Sequence, residues 1–108
     1  MPNDVRGIRY WTQSLNVLDA LSSLETAISN AKNKSLVALK VIHGSGSGTI
    51  RKAVREWGQE QEGRFKGIIW GEDYNMFNRD AVVMRSELVE KKDKDFNRKN
   101  SGITIFWL

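Results

Sequence analysis

The sequence predicts an α/β domain with a four-stranded, mostly parallel sheet and the element order β-α-β-α-β(-α)-β. Three observations support this prediction: a helical stripe between two strand-like segments, a glycine-rich turn into a second helix, and two further strand-like segments. The chain has 108 residues, enough for a single hydrophobic core. We therefore expect a single domain over residues 1–108.

The first part of the chain predicts a βαβ unit. Residues 7–14 are rich in the β-branched and aromatic side chains typical of strands. A helix follows, with Asn16 suited to cap it, because apolar residues recur on one face: Val17, Leu21, Leu24, Ile28 and Ala31. Residues 36–42 (LVALKVI) predict a strand buried on both faces, joined to the first by a right-handed crossover.

The second part predicts a helix and two further strands. The helix starts near Thr49 and ends at Gly58, with one apolar and one basic face. Residues 64–70 and 102–108 read as strands, the last of which closes the sheet.

A long insertion over about residues 72–101 separates these two strands. A helix is expected over roughly residues 78–92, because four residues form a stripe: Phe77, Ala81, Met84 and Leu88. The remainder, KKDKDFNRKNS, predicts a polar loop with solvated charges.

Composition and charge narrow the function classes. The net charge is +4; residues 1–71 hold ten basic and six acidic side chains, whereas residues 72–108 hold seven of each. The excess favours a nucleic-acid partner, with a solvated basic face as the alternative. No apolar run approaches the ~20 residues of a membrane span, and the amino end lacks the apolar core of a secretory signal. The absence of cysteine predicts a reducing, cytoplasmic setting (or the nucleus, in a eukaryote).

The stretch VIHGSGSGTIRKAVREW carries the most specific chemistry. Three glycines (Gly44, Gly46, Gly48) alternate with Ser45 and Ser47, so the backbone amides can turn toward one point. The helix starting at Thr49 adds free N–H groups, and Arg51, Lys52 and Arg55 extend the positive potential. This pattern favours a bound phosphate group, and a plain glycine-rich turn is the alternative.

Two established nucleotide motifs do not fit this loop. No lysine follows the last glycine, as a Walker A loop requires. The spacing is G-x-G-x-G, whereas a dinucleotide fingerprint is G-x-G-x-x-G.

Polar residues at the strand ends complete the candidate site. Gln13 and His43 follow neighbouring strands, and ligands of such sheets sit beyond the carboxyl ends of the strands. If the third strand is parallel too, Glu72 and Asp73 reach the same edge. His43 either activates water or holds the loop by a hydrogen bond. We expect no cofactor, with Mg²⁺ on the Glu72–Asp73 pair as a remote alternative to solvated acids.

The chain resembles the Smr domain family. The resemblance rests on VIHGSGSGTIRKAVREW, the upstream helix VLDALSSLETAISNA and the closing strand SGITIFWL. It implies a two-layer α/β sandwich similar to the C-terminal domain of a bacterial translation initiation factor. It also implies nucleic-acid binding and, in several members, nicking or cleavage of DNA or RNA, with His43 as the catalytic residue.

One departure from the family pattern bears on catalysis. The family's first motif, Leu-Asp-x-His-Gly, falls on residues 10–14, where Trp11 replaces the acid, Gln13 the histidine and Ser14 the glycine. Glutamine cannot act as a general base near neutral pH. The sequence thus leaves three hypotheses: an endonuclease, a nucleic-acid-binding module without cleavage, or a protein-interaction domain that docks a partner through Trp11, Trp70 or Trp107. It does not predict the oligomeric state.

Overall fold

The computed structural model describes residues 8–12, 16–44, 46, 48–61 and 63–108. The chain is α/β, and its helices and strands follow one another as β1 (Ile8–Thr12), α1 (Val17–Asn33), β2 (Ala38–Ile42), α2 (Thr49–Glu60), β3 (Gly67–Trp70), α3 (Arg79–Ser86) and β4 (Ile103–Trp107). A short 3-10 turn, Gly71–Asp73, links β3 to the segment that carries α3.

The prediction of a mostly parallel sheet is wrong. The strand order is β1-β2-β4-β3; β2, β4 and β3 form an antiparallel unit, and β1 joins it in parallel through β2. The segment between β3 and β4 begins and ends at one edge of the sheet, where a side chain on Gly71 would collide with the backbone of Asn100. Because the chain returns to the edge at which β3 ends, β4 has to enter the sheet in the opposite direction.

The predicted two-layer arrangement is also wrong, because both faces of the sheet are covered. On one face, α1 and α2 enclose a cluster that includes Leu24, Val54 and Phe106. On the other face, α3 and its flanking segments bury a second cluster, which includes Met84 and Ile105. The strands therefore lie between two apolar layers.

The two long helices differ in how well the sequence predicted them. The α1 prediction is confirmed, including the cap, since Asn16 Oδ1 accepts a hydrogen bond from the Asp19 amide at 3.0 Å. The predicted end of α2 at Gly58 is wrong, because the helix continues to Glu60. Gly58 instead allows close packing: a Cβ there would lie 2.8 Å from a ring carbon of Phe106.

The predicted polar loop holds buried charges. The helix α3 is shorter than predicted, and Phe77, expected on its apolar stripe, is 89% exposed. Lys40 of β2 is fully buried and donates to Asp93 at 2.5 Å and to Asp95 at 2.7 Å. Tyr74 donates to the second oxygen of Asp93 at 2.8 Å. The charges of this loop thus anchor it to the sheet, contrary to the expectation of a solvated surface.

Within the described part of the chain, every helix is too short or too polar to span a membrane.

Candidate nucleic-acid interface

The end of β2, the end of β3 and the start of β4 meet at one edge of the sheet. The edge holds the carboxyl ends of β2 and β3, because both strands run opposite to β4, whose first residue Ile103 pairs with Ile42. His43 and Glu72 therefore reach the same edge, as the sequence predicted for a third strand running parallel to the second. Thr12 of β1 pairs with Ile42, but the next residue, Gln13, lies outside the described residues.

The glycine-rich loop connects β2 to α2 and is fixed at its start. The amides of His43 and Gly44 both donate to the carbonyl of Gly102 at 3.0 Å. Gly44 (φ +76°) and Gly48 (φ +84°) adopt the left-handed conformation that favours glycine. A Cβ at Gly44 or Gly46 would find no described atom within 4 Å, so a ligand can approach the backbone there. Ser45 and Ser47 lie outside the described residues.

The amino end of α2 opens beside this loop. Gly48, in the left-handed conformation, is the cap residue of the helix and makes no side-chain hydrogen bond there. The positive end of the helix dipole favours an anion at this position.

His43 is held by hydrogen bonds at both ring nitrogens. Nδ1 lies 2.9 Å from the carbonyl oxygen of Gly44, and Nε2 lies 2.9 Å from Oγ1 of Thr104. A carbonyl only accepts, so Nδ1 carries the proton and Nε2 accepts from the threonine hydroxyl. Burial lowers the pKa of His43, and the nearby charges of Arg55 and Arg51 lower it further. The geometry therefore suits a neutral imidazole that shapes the loop.

Arg55, which the sequence placed among the phosphate-binding cations, is committed to internal contacts. Its side chain is 9% exposed and pairs with both carboxylate oxygens of Glu72, at 2.9 and 2.7 Å. It also donates to Thr104 Oγ1 and to the carbonyl of Ile103, each at 3.0 Å. Its guanidinium carbon lies 4.6 Å from the ring centre of Trp70. Arg55 therefore joins the elements around the site to one another.

Arg51 and Lys52 remain available to a ligand. Neither forms an ion pair with the described residues, and the guanidinium of Arg51 lies over Gly48, where a Cβ would be 2.7 Å from Nη2. Both side chains line an open groove of about 490 Å³ beside α2, whose other lining residues are Gly48, Arg55, Glu56, Gln59 and Trp70.

Glu72 and Asp73 have separate environments. Hydrogen bonds from Arg55 lower the pKa of Glu72 and engage both of its oxygens, whereas Asp73 is exposed. No group of three or more residues able to hold a metal ion occurs within the described ranges.

Two residues of the site were missed by sequence reasoning. Thr104, the second residue of the otherwise apolar strand β4, joins His43 to Arg55, and its single hydroxyl was the available signal. Trp70 was considered only as a protein-docking residue, together with Trp107, which is 8% exposed and packs in the core.

These features define a small α/β domain with a glycine-rich loop and a basic helix at one edge of its sheet. The Smr domain family model matches residues 12–69, and the chain belongs to this family, which is known for nucleic-acid binding and nicking. The fold is similar to that of the Smr domain of Thermus thermophilus MutS2, with a TM-score of 0.60 and 20% identity over 94% of this chain and 96% of that chain. A comparison with curated proteins gives no match.

Proposed function

We propose that this domain binds nucleic acid through its sugar-phosphate backbone, without sequence preference and with little or no cleavage. The observation that carries the proposal is the position of Arg51 and Lys52. Both cations lack an ion-pair partner among the described residues, and they flank the open glycine loop and the amino end of α2. Amides, helix dipole and two cations together favour a phosphate.

The charge distribution supports a polyanionic ligand. The excess of basic residues lies in residues 1–71, which include the loop and α2. A bound phosphate would also meet no Cβ at the glycines of the loop, so backbone amides can contact it directly.

The contacts of His43 favour a binding module over an endonuclease. A general base needs a free lone pair within reach of the attacking water, whereas Nε2 of His43 accepts from Thr104. The position of the family's other histidine is occupied by Gln13. Nicking of DNA or RNA remains the alternative activity, because the family includes nicking members.

The test is the salt dependence of binding. Fluorescence anisotropy would follow a labelled duplex as salt is raised, for the native chain and for the double variant R51Q/K52Q. With two phosphate contacts, log affinity should fall against log salt with a slope of about −2. The double variant should bind weakly and with a slope near zero.

A matched control removes the same charge elsewhere. Arg79 and Lys92 are exposed and belong to the segment on the opposite face of the sheet. The variant R79Q/K92Q should retain the native affinity and slope. The proposal is wrong if the native chain binds neither a duplex nor a single strand at low salt, or if both double variants lose affinity equally.

A further inference from the structure

Trp70 differs in its surroundings from the other two tryptophans whose side chains the structure describes. Trp57 packs against Phe65 and Phe106, and Trp107 is 8% exposed within the core. Trp70 lies at the end of β3 and is half-buried. It belongs to neither apolar cluster of the described residues. Core packing therefore does not account for this side chain.

Arg55 fixes the orientation of the Trp70 ring. Its guanidinium lies over the ring, 4.6 Å from the centre, and is itself held by the two bonds to Glu72. A cation over an aromatic face contributes favourable electrostatic energy. The ring is thus a preorganised flat surface, and its accessible part lines the groove next to Arg51 and Lys52.

The groove changes in chemistry along α2. Arg51 and Lys52 lie near its start, Glu56 follows one turn after Lys52, and Gln59 follows about two turns after it. A carboxylate repels a phosphate but accepts hydrogen bonds from the exocyclic amines of bases, and an amide both donates and accepts. A volume of about 490 Å³ is within the range of small-ligand pockets.

We infer that the groove holds one unstacked nucleobase against Trp70, with its phosphate at Arg51, Lys52 and the amino end of α2. The inference rests on the proposed function and specifies its substrate as single-stranded nucleic acid. In an intact duplex the base faces are covered by their neighbours, so the ring has no access to them. Stacking tolerates any base, which agrees with binding that lacks sequence preference.

The test compares an oligonucleotide of about ten nucleotides with an abasic strand of the same length, which keeps the phosphates and lacks the base faces. The native chain should bind the intact strand about 5- to 150-fold more tightly, because stacking of one base contributes about 1–3 kcal/mol. The variant W70L should bind both strands equally, at the affinity that the native chain has for the abasic one. The variant W70F, which keeps a flat ring, should retain most of the preference.

Two controls separate the outcomes. Phe77 is 89% exposed and does not line the groove, so F77L should keep the native preference for the intact strand. If the native chain binds intact and abasic strands equally, or if W70L keeps the native preference, the stacking inference is wrong while the proposed function stands. If W70L weakens both strands by the same factor, Trp70 only supports the fold. If neither strand nor a duplex binds at low salt, the proposed function fails.

Discussion

The guanidinium of Arg55 pairs with the carboxylate of Glu72 through two hydrogen bonds, at 2.9 and 2.7 Å, across the gap between α2 and the end of β3. The pair gives two arginines one turn apart different roles. Arg55 joins the helix to the sheet, whereas Arg51 lies over the glycine loop and has no ion-pair partner among the described residues.

Replacing Arg55 should therefore affect stability. We expect R55M to lower the free energy of unfolding by about 2–3 kcal/mol, because Glu72, Thr104 and the Ile103 carbonyl all lose a donor. This is below the ~3–5 kcal/mol of a fully buried pair, since the side chain of Glu72 is 38% exposed and regains hydration. The matched variant R51M should change stability by less than about 0.5 kcal/mol but weaken nucleic-acid binding. Equal unfolding midpoints in urea would contradict this division of roles.

The stability of the domain should depend on the titration of His43. Its native pKa lies below the ordinary value of 6.5, so the unfolded chain binds the proton first as the pH falls. The contribution of His43 is fully present above about pH 7 and is lost as the pH drops from the unfolded pKa toward the native one.

Urea unfolding at about pH 7.5 and about pH 5.5 would measure this loss, with H43Q as the non-titrating control. The native chain should lose more stability than H43Q across this interval. Glu72 and Asp95, whose pKa values are lowered, act at more acidic pH in both proteins. Parallel losses in the two proteins would show that His43 does not control stability in this range.

The glycines of the loop should separate into conformational and ligand-contact positions. Gly48 has φ +84°, a conformation that L side chains rarely adopt, so G48A should cost about 1–2 kcal/mol of stability. Gly46 is not left-handed and has open space, so G46V should leave the unfolding midpoint nearly unchanged and still weaken nucleic-acid binding. If binding by G46V falls only in proportion to its unfolded fraction, the loop is a plain turn.

Cleavage should be slow or absent. A gel assay with supercoiled plasmid and structured RNA would compare the native chain with Q13H, which restores the histidine of the family motif. One positioned general acid or base contributes about 10²–10⁴-fold, so Q13H should raise a weak rate, within the limit set by Trp11 in the place of the acid. Robust nicking by the native chain that survives H43A would contradict the roles assigned to both residues.

The sequence alone determined the local structure and the position of the loop. Helical periodicity and a capping asparagine predicted α1, and the β-branched and apolar runs predicted the four strands, because these signals depend on neighbours within a few residues. The same local information predicted the glycine-rich loop at Gly44–Gly48 and the basic face of α2. It also predicted the family, through residues that lie close together in the chain.

Only the tertiary structure decided the direction of β4 and the partner of each charged side chain. Side-chain alternation is the same in either direction, so the antiparallel entry of β4 depends on where the segment after β3 returns to the sheet. Arg51 and Arg55 are both basic side chains on one helix, yet Glu72 reaches Arg55 because β3 ends beside it. Lys40 is buried in a strand because Asp93 and Asp95, more than fifty residues later, supply the opposite charges that make its burial tolerable.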